Sequence, residues 1–187
     1  LVEMFPLSLS ELPATRVAQI SVDDYLWRGG YPAVHARGLD PIRYYMDYIS
    51  SYLERDVRRL SAVHNLANFQ RFVRLCAART GQLLNLSSLA NDCGISHPTA
   101  QAWMGILEAS YIVKLIAPYH RNFGKRLVKA PKLYFLDTGL CARLLGIQSA
   151  AELQTHFARG ALFETMVVGE ALKWQATKGQ SQPVYFW

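Results

Sequence analysis

Apolar residues recur at helical spacing through the first half of the chain, which predicts a helical region ahead of any strand. A long helix is predicted to begin at Asp40-Pro41, because the five large side chains that follow have an i, i+3, i+4, i+7, i+8 pattern typical of one buried stripe. The stripe consists of Tyr45, Tyr48, Ile49, Tyr52 and Leu53. A short helix is predicted over Val22–Trp27 behind a Ser21 cap, and another over residues 66–80, where Gly81 ends it.

The pattern then changes to two short helices joined by a sharp turn. Asn85 or Ser87 can cap a helix over Ser88–Cys93, Gly94 supplies the turn, and Ser96 caps the helix that follows. The residues of this second helix that should pack inward are Ala100, Trp103, Met104 and Leu107. A capped helix, a tight turn with glycine and a second capped helix are typical of a helix-turn-helix.

Two strands are predicted after the second helix, over Tyr111–Ala117 and Leu133–Leu136, which completes the order of a winged helix-turn-helix. The net charge of the chain is +6, and the whole excess lies between residues 109 and 136, a span with six basic residues and no acid. They are Lys114, Arg121, Lys125, Arg126, Lys129 and Lys132. Such a localised basic excess indicates a polyanionic partner, so we predict that the last five contact the phosphates of DNA or RNA. Alternatively, the cations only keep an exposed hairpin soluble.

The outward face of the second helix is the place to look for base contacts, and it carries no Arg or Lys. Because Arg to guanine is the commonest specific base contact, this face favours weak sequence reading. Gln101 is a candidate to contact adenine, and Ser96 and Thr99 are candidates to bind phosphate at the helix N-terminus. A protein-interaction role for the same unit stays open.

Other chemical sites are scarce in the sequence. Gly124-Lys125 lacks the remainder of a P-loop, so ATP binding by that route is excluded, and no P-loop pattern surrounds Gly29-Gly30, which leaves a phosphate-binding role for that pair without support. No metal-ligand spacing of Cys and His occurs. The cysteines are far apart and are expected to be reduced and buried. They are Cys76, Cys93 and Cys141.

Asp137 follows the second predicted strand and has two interpretations: a cap for a helix over Gly139–Leu145, or a catalytic carboxylate. The last helix is expected to be mostly buried, because Leu162, Phe163 and Val167 lie among its apolar positions. The remaining predicted elements are helices over residues 150–157 and 161–175 and a strand from residue 184.

Several stretches together carry a family resemblance. They are FPLSLSEL, WRGGYP, TGQLLNLSSLANDCGISHPTAQAWMGILEASYIV, PYHRNFGKRLVKAPKLYFLDTGLCARLLGI, GALFETMVV and VYFW. This set resembles the C-terminal region of a widespread group of prokaryotic AAA-type ATPases that carry the domain of unknown function 4143. The resemblance implies a P-loop ATPase domain upstream, which would use ATP and Mg²⁺, and no cofactor in the present chain. It also implies a winged helix followed by a module similar to the PD-(D/E)XK nuclease fold.

Glu164 matches the helical carboxylate that opens the nuclease-like module in this family. The other acids of that module would follow Trp187, and Mg²⁺-dependent phosphodiester hydrolysis needs two or more carboxylates. The resemblance therefore implies that this chain alone is not an enzyme.

We predict a mainly α (α+β) fold in three parts. Residues 1–60 are a helical linker after a missing ATPase core, residues 61–137 are a winged helix-turn-helix with a supporting helix and a basic β-hairpin, and residues 138–187 are the truncated start of a nuclease-like α/β module. The expected function is non-catalytic nucleic-acid binding as part of an ATPase. The alternatives are a protein-interaction or oligomerisation module and one part of a metal-dependent nuclease.

The expected partners are the phosphate backbone of DNA or RNA, the ATPase domain and a second copy of the chain. No apolar run approaches the roughly 20 residues of a membrane span, and no charged region followed by an apolar one leads the chain. We therefore expect a cytoplasmic protein and no membrane partner. Because the sequence begins at Leu1 and stops inside an apolar run, we also expect it to be a piece of a longer protein.

Overall fold

A computed structural model of the chain describes residues 4–17, 19–52, 65–119, 129–179 and 183–187. In these residues the fold is mainly α-helical with one two-stranded antiparallel sheet, which confirms the predicted mainly α class. A 3₁₀ turn spans Leu9–Glu11. The helices are α1 (Ala14–Val17), α2 (Val22–Arg28), α3 (Pro32–Ala36), α4 (Pro41–Ser51), α5 (Leu66–Ala78), α6 (Leu86–Cys93), α7 (His97–Ala109), α8 (Thr138–Leu144), α9 (Ala150–Thr155) and α10 (Arg159–Thr177), and the strands are β1 (Val113–Ile116) and β2 (Lys132–Phe135).

Helix α4 has the predicted buried stripe over the residues that the structure describes. Its N-cap is Asp40, whose carboxylate accepts the Ile42 N–H at 3.2 Å. Tyr45 is 1% exposed, and Tyr48, Ile49 and Tyr52 pack partly buried against the core. The fifth member of the stripe, Leu53, lies outside the described residues.

Helices α5, α6 and α7 form the largest part of the core. Trp103 of α7 meets Phe69 and Phe72 of α5 edge to face, with ring centroids 5.2 and 5.6 Å apart. Such aromatic pairs add to the stabilisation from burial. The predicted inward residues of α7 are all buried, at 2% exposure or less, which confirms this part of the pattern.

The turn between α6 and α7 has the local chemistry that the sequence predicts. Asn85, and not Ser87, caps α6, since its side chain accepts the Ser88 N–H at 2.9 Å; the helix therefore starts two residues earlier than predicted. Gly94 follows α6 with φ 67° and ψ 37°, a left-handed conformation that glycine adopts without steric cost. Ser96 then caps α7 through the Thr99 N–H.

Strands β1 and β2 pair antiparallel, with Val113 opposite Phe135 and Ile116 opposite Lys132. Strand β1 is shorter than the predicted Tyr111–Ala117, because residues 110–112 form a turn in which Tyr111 has φ 55°. Strand β2 has the predicted length of four residues, but it begins and ends one residue earlier than predicted. The second edge of β2 is also bonded: the Leu133 N–H donates to the Gln82 carbonyl at 3.0 Å. A single connection, residues 117–131, joins the two strands.

Helix α8 lies at the centre of the fold, in contact with α2, α4, α5, α10 and β2. Its N-cap is Asp137, which is 4% exposed and accepts the Leu140 N–H at 2.7 Å, so the capping interpretation is confirmed. The other carboxylate oxygen accepts the Gly30 N–H at 2.7 Å. One buried carboxylate therefore joins the turn after α2 to the start of α8.

Close backbone approach makes this junction intolerant of added atoms. A Cβ at Gly139 would lie 2.6 Å from the Tyr45 hydroxyl and 2.7 Å from the Arg28 carbonyl oxygen. That hydroxyl donates to the same Arg28 carbonyl at 2.8 Å. Gly29 has φ 67°, and a Cβ there would meet both the Tyr45 hydroxyl and the Asp137 carboxylate. The two glycines therefore allow α2 and α8 to pack in contact.

The last helix, α10, is only partly buried. It binds the segment before α2: the Glu170 carboxylate accepts the Leu9 N–H at 3.1 Å, and the Lys173 ammonium donates to the Leu7 carbonyl at 2.9 Å. The prediction of a mostly buried helix is wrong for Phe163 and Val167, which are 45% and 49% exposed. They are exposed because the neighbouring elements cover only the opposite face. That face carries Leu162, Thr165, Gly169 and Lys173.

All three cysteines are buried and free of disulfides, as predicted. Burial raises the pKa of the Cys76 and Cys141 thiols well above the usual value, so neither is a nucleophile at neutral pH. None of the helices in the described ranges is long and apolar enough to cross a membrane.

Candidate nucleic-acid interface

The basic residues of the β-hairpin divide into two strand positions and one connection. Lys114 is on β1 and exposed, and Lys132 is on β2 and partly buried. Lys129 is exposed near the end of the connection. The other cations predicted to contact phosphate, Arg121, Lys125 and Arg126, lie in the connection but outside the described residues.

Lys132 already has a carboxylate partner. Its ammonium donates to Glu164 of α10 at 2.8 Å, and the Tyr134 hydroxyl donates to the same oxygen at 2.6 Å. The Lys132 ammonium also lies 5.3 Å from the centre of the Phe186 ring. Lys132 is therefore less available for phosphate than the sequence suggests, while Lys129 is exposed and has no ion pair among the described residues.

Sequence reasoning found Glu164 and Lys132 separately but missed that they form one cluster with Tyr134. The signal is present in the sequence, because Lys132 and Tyr134 are two residues apart on a strand and so point to the same face of the sheet. The partner on α10 could not be inferred this way, since it depends on how α10 packs against β2.

The Glu164 cluster gives a testable dependence of stability on pH. Burial by itself raises the Glu164 pKa, but hydrogen bonds from Lys132 and Tyr134 and the charge of Lys132 lower it below its usual 4.5. A lowered carboxylate pKa contributes stability above the unfolded pKa and loses it as the pH falls through the folded pKa. Because the Glu164 side chain is 44% exposed, we expect Glu164→Gln to lower the free energy of unfolding by about 0.5–1 kcal/mol at pH 7.

This difference between Glu164→Gln and the wild type should vanish as the pH falls from about 5 to 3. The measurement is urea unfolding at a series of pH values. Glu108→Gln, on α7 and without an ion pair among the described residues, is the control and should show no such pH-dependent difference. A difference for Glu164→Gln that stays constant across that range would contradict the assignment of the ion pair.

The outward face of α7 carries no Arg or Lys, and the hydroxyl groups at its N-terminal end are already hydrogen-bonded. The Ser96 hydroxyl accepts the Thr99 N–H at 3.2 Å and lies 2.7 Å from the Thr99 hydroxyl. Gln101 is exposed and points away from the core. Of the three α7 candidates for nucleic-acid contact, Gln101 is therefore the one whose polar group is not already bound to a neighbouring residue of the described chain.

The remaining candidate groups, the paired glycines and Asp137, already make structural contacts. Gly30 is the second of the paired glycines, and its N–H donates to Asp137, so it is not open to a phosphate. Burial raises the Asp137 pKa, while the Leu140 and Gly30 N–H groups oppose the rise. Within the described ranges no three His, Cys, Asp or Glu residues come together as a metal site.

Helices α6 and α7 and the basic hairpin that follows them lie within a stretch that matches a known family. The model of the family described as domain of unknown function DUF8612 matches residues 19–151. The chain belongs to the DUF8612 family. The matched DUF8612 residues run from just before α2 into α9, so they include the α2–α8 junction and the whole β-hairpin. Glu164 and α10 lie beyond the DUF8612 match.

Two relatives of this DUF8612 chain extend over nearly all of it. They are uncharacterized proteins of Mycobacterium bovis and Mycobacterium tuberculosis, each 33% identical over 186 residues, or 97% of this chain. The same alignment covers 41% of each relative, so the chain spans less than half the length of the curated relatives that it matches. No solved structure matches the chain.

Proposed function

We propose that this chain is a non-catalytic nucleic-acid-binding unit of a longer protein, and that the connection between β1 and β2 is its main contact with phosphate. In this proposal α6 and α7 are the helices of a winged helix-turn-helix, and the β-hairpin is its wing. The observation that carries the proposal is the antiparallel pairing of β1 and β2. It means that Arg121, Lys125, Arg126 and Lys129 all belong to the one connection that leaves and re-enters the sheet.

The charge along this connection supports a polyanionic partner. Residues 117–131 contain four cations and no acid. Cations in a single connection can follow a phosphate backbone, and each phosphate contact releases counterions and so adds to affinity at low salt. Contacts of this kind carry no sequence information, so the binding is expected to be largely independent of sequence.

Helix α7 takes a minor role in this proposal. Its outward face lacks Arg and Lys, and two of its three candidate residues, Ser96 and Thr99, are bonded to each other. Gln101 is left as the one side chain suited to a base edge. A helix with a single such contact adds little affinity.

The test of the proposal is fluorescence anisotropy with a labelled duplex of about 20 base pairs in salt from roughly 50 to 200 mM. We expect the wild type to bind, to weaken steeply with salt, and to distinguish poorly between unrelated sequences. Gln101→Ala should change the affinity by less than about twofold, because phosphate contacts supply most of the free energy. The absence of binding at 50 mM salt, or a loss above about tenfold for Gln101→Ala, would contradict the proposal.

A second candidate function is a protein-interaction module, and one observation favours it. Several exposed residues of α7 are small and uncharged, which would allow another helix to approach closely. They are Pro98, Ala102, Gly105 and Ala109. Light scattering that shows an oligomer, together with no anisotropy change on either duplex or single-stranded DNA, would favour this function over the first.

The longer protein is proposed to be an AAA-type ATPase of the cytoplasm, on the resemblance described above. In that protein, ATP and Mg²⁺ would bind a domain outside this chain, and that domain would be a partner of the helical region before α5. Glu164 would belong to a nuclease-like module that starts with α8–α10. The relatives are long enough to hold such additional domains, since this chain covers 41% of them.

A further inference from the structure

A groove of about 240 Å³ lies between α4, α5 and α8. Among its lining residues, Val73, Ile112 and Leu140 are buried members of the core, at 8%, 3% and 3% exposure. Tyr48 and Tyr52 line it with rings that are parallel within 4° and have centroids 6.4 Å apart. The interior of the groove is therefore largely apolar, with two aromatic rings.

Two guanidinium groups belong to this groove, and no carboxylate is among the described residues that line it. Arg74 is exposed and takes part in none of the ion pairs of the described chain. Arg143 donates to the Gln148 side-chain carbonyl at 3.1 Å and has no acidic partner among the described residues. Positive charge beside an apolar groove is complementary to a ligand that has an apolar body and an anionic head.

We propose that this groove binds a small amphiphilic carboxylate, with the apolar tail against Val73, Ile112 and Leu140 and the carboxylate held by Arg74 and Arg143. Arginine suits this role because its planar guanidinium can donate two parallel hydrogen bonds to one carboxylate. The groove is smaller than the roughly 300–1,000 Å³ of pockets that hold drug-sized molecules, so it fits a tail of about eight to ten carbons and not a long acyl chain. This proposal is independent of nucleic-acid binding.

The chain carries an internal probe for the test. It has four methionines, and Met46 is the one that lines the groove. Met4 and Met166 are on other parts of the surface or core edge, and Met104 is buried at 2% exposure and reports whether the fold is intact. We therefore expect decanoate, titrated into protein labelled with ¹³C at the methionine methyl groups, to shift the Met46 signal saturably and leave the other three unchanged.

A series of ligands and variants tests the two halves of the site separately. From hexanoate to decanoate, each added methylene should tighten binding about fourfold until the groove is filled. The double variant Arg74→Gln/Arg143→Gln should weaken decanoate binding by about tenfold or more. Arg71 is an exposed cation on the same helix, α5, but it does not line the groove. Arg71→Gln should therefore leave the affinity for decanoate unchanged.

Several results would overturn the proposal. If decanol or decyltrimethylammonium shifted the Met46 signal with the same affinity as decanoate, the proposed binding of the carboxylate by the two arginines would be contradicted. Equal shifts at Met4 and Met166 would show non-specific adsorption. A Met46 signal that does not move at millimolar decanoate would show that the groove does not bind this class of ligand.

Discussion

Replacing Asp137 with alanine should lower the free energy of unfolding by about 2–4 kcal/mol, measured by urea denaturation at pH 7. The loss has two parts. Removal of an N-cap costs about 0.5–2 kcal/mol, and the Gly30 N–H would be left buried without its acceptor, which costs about 1–3 kcal/mol more. Both donors lie 2.7 Å from the carboxylate oxygens in the wild type.

The chain provides a matched control for this substitution. Asp40 is also an aspartate N-cap, of α4, but it is exposed and accepts only the Ile42 N–H. Asp40→Ala should therefore cost about 0.5–1 kcal/mol, the effect of a cap alone. Equal losses for Asp40→Ala and Asp137→Ala would contradict the role of Asp137 in joining α2 to α8.

The same comparison should depend on pH in a defined direction. Burial raises the pKa of folded Asp137 above its usual 3.8. A raised pKa means that the contribution of the carboxyl to stability is fully present below the unfolded pKa and declines as the pH rises through the folded pKa. The difference between wild type and Asp137→Ala should therefore be larger near pH 3 than at pH 7.

Reversing three cations of the hairpin connection should lower the affinity for DNA by at least about 100-fold at 0.1 M salt. Each phosphate contact contributes about −0.9 to the slope of log K against log salt. Three contacts therefore raise the binding constant at 0.1 M salt by roughly 2.7 decades relative to its value at 1 M salt. The variant is Lys125→Glu/Arg126→Glu/Lys129→Glu. Its binding to labelled duplex is measured by anisotropy, and its helical content by circular dichroism.

The control for this variant has the same net charge but keeps the connection intact. Arg37→Glu/Arg43→Glu/Lys178→Glu also changes three exposed cations, and each triple variant lowers the net charge from +6 to 0. If the hairpin connection is the contact, the control should lose less than about tenfold, through long-range electrostatics alone. Equal losses in the two variants would mean that only the overall charge matters.

Local chemistry could be predicted from the sequence with good accuracy, because it depends on a few neighbouring residues. Ser21, Ser96 and Asp137 cap the helices that follow them, and Gly94 makes the turn between α6 and α7. The inward face of α7 followed from helical periodicity alone. Errors occurred where two patterns compete, as at Asn85 and Ser87, either of which has a side chain able to cap α6.

Contacts between distant segments could not be predicted, because periodicity gives a face but not its partner. The bond from Gly30 to Asp137 spans 107 residues, and that from Lys132 to Glu164 spans 32. For this reason Asp137 was left with two interpretations, and Lys132 was counted with the free cations. The exposed side of α10 was misjudged for the same reason, since an apolar pattern cannot tell which apolar residues find a neighbour.

The most direct test of the central claim is the salt dependence of DNA binding by the wild type and by Lys125→Glu/Arg126→Glu/Lys129→Glu. If the four cations of the connection contact phosphates, the slope of log K against log salt should be about −3.6 for the wild type. It should fall to about −0.9 for the triple variant, and stay near −3.6 for the Arg37, Arg43 and Lys178 control. Equal slopes for the wild type and the hairpin variant would show that the β1–β2 connection is not the nucleic-acid contact.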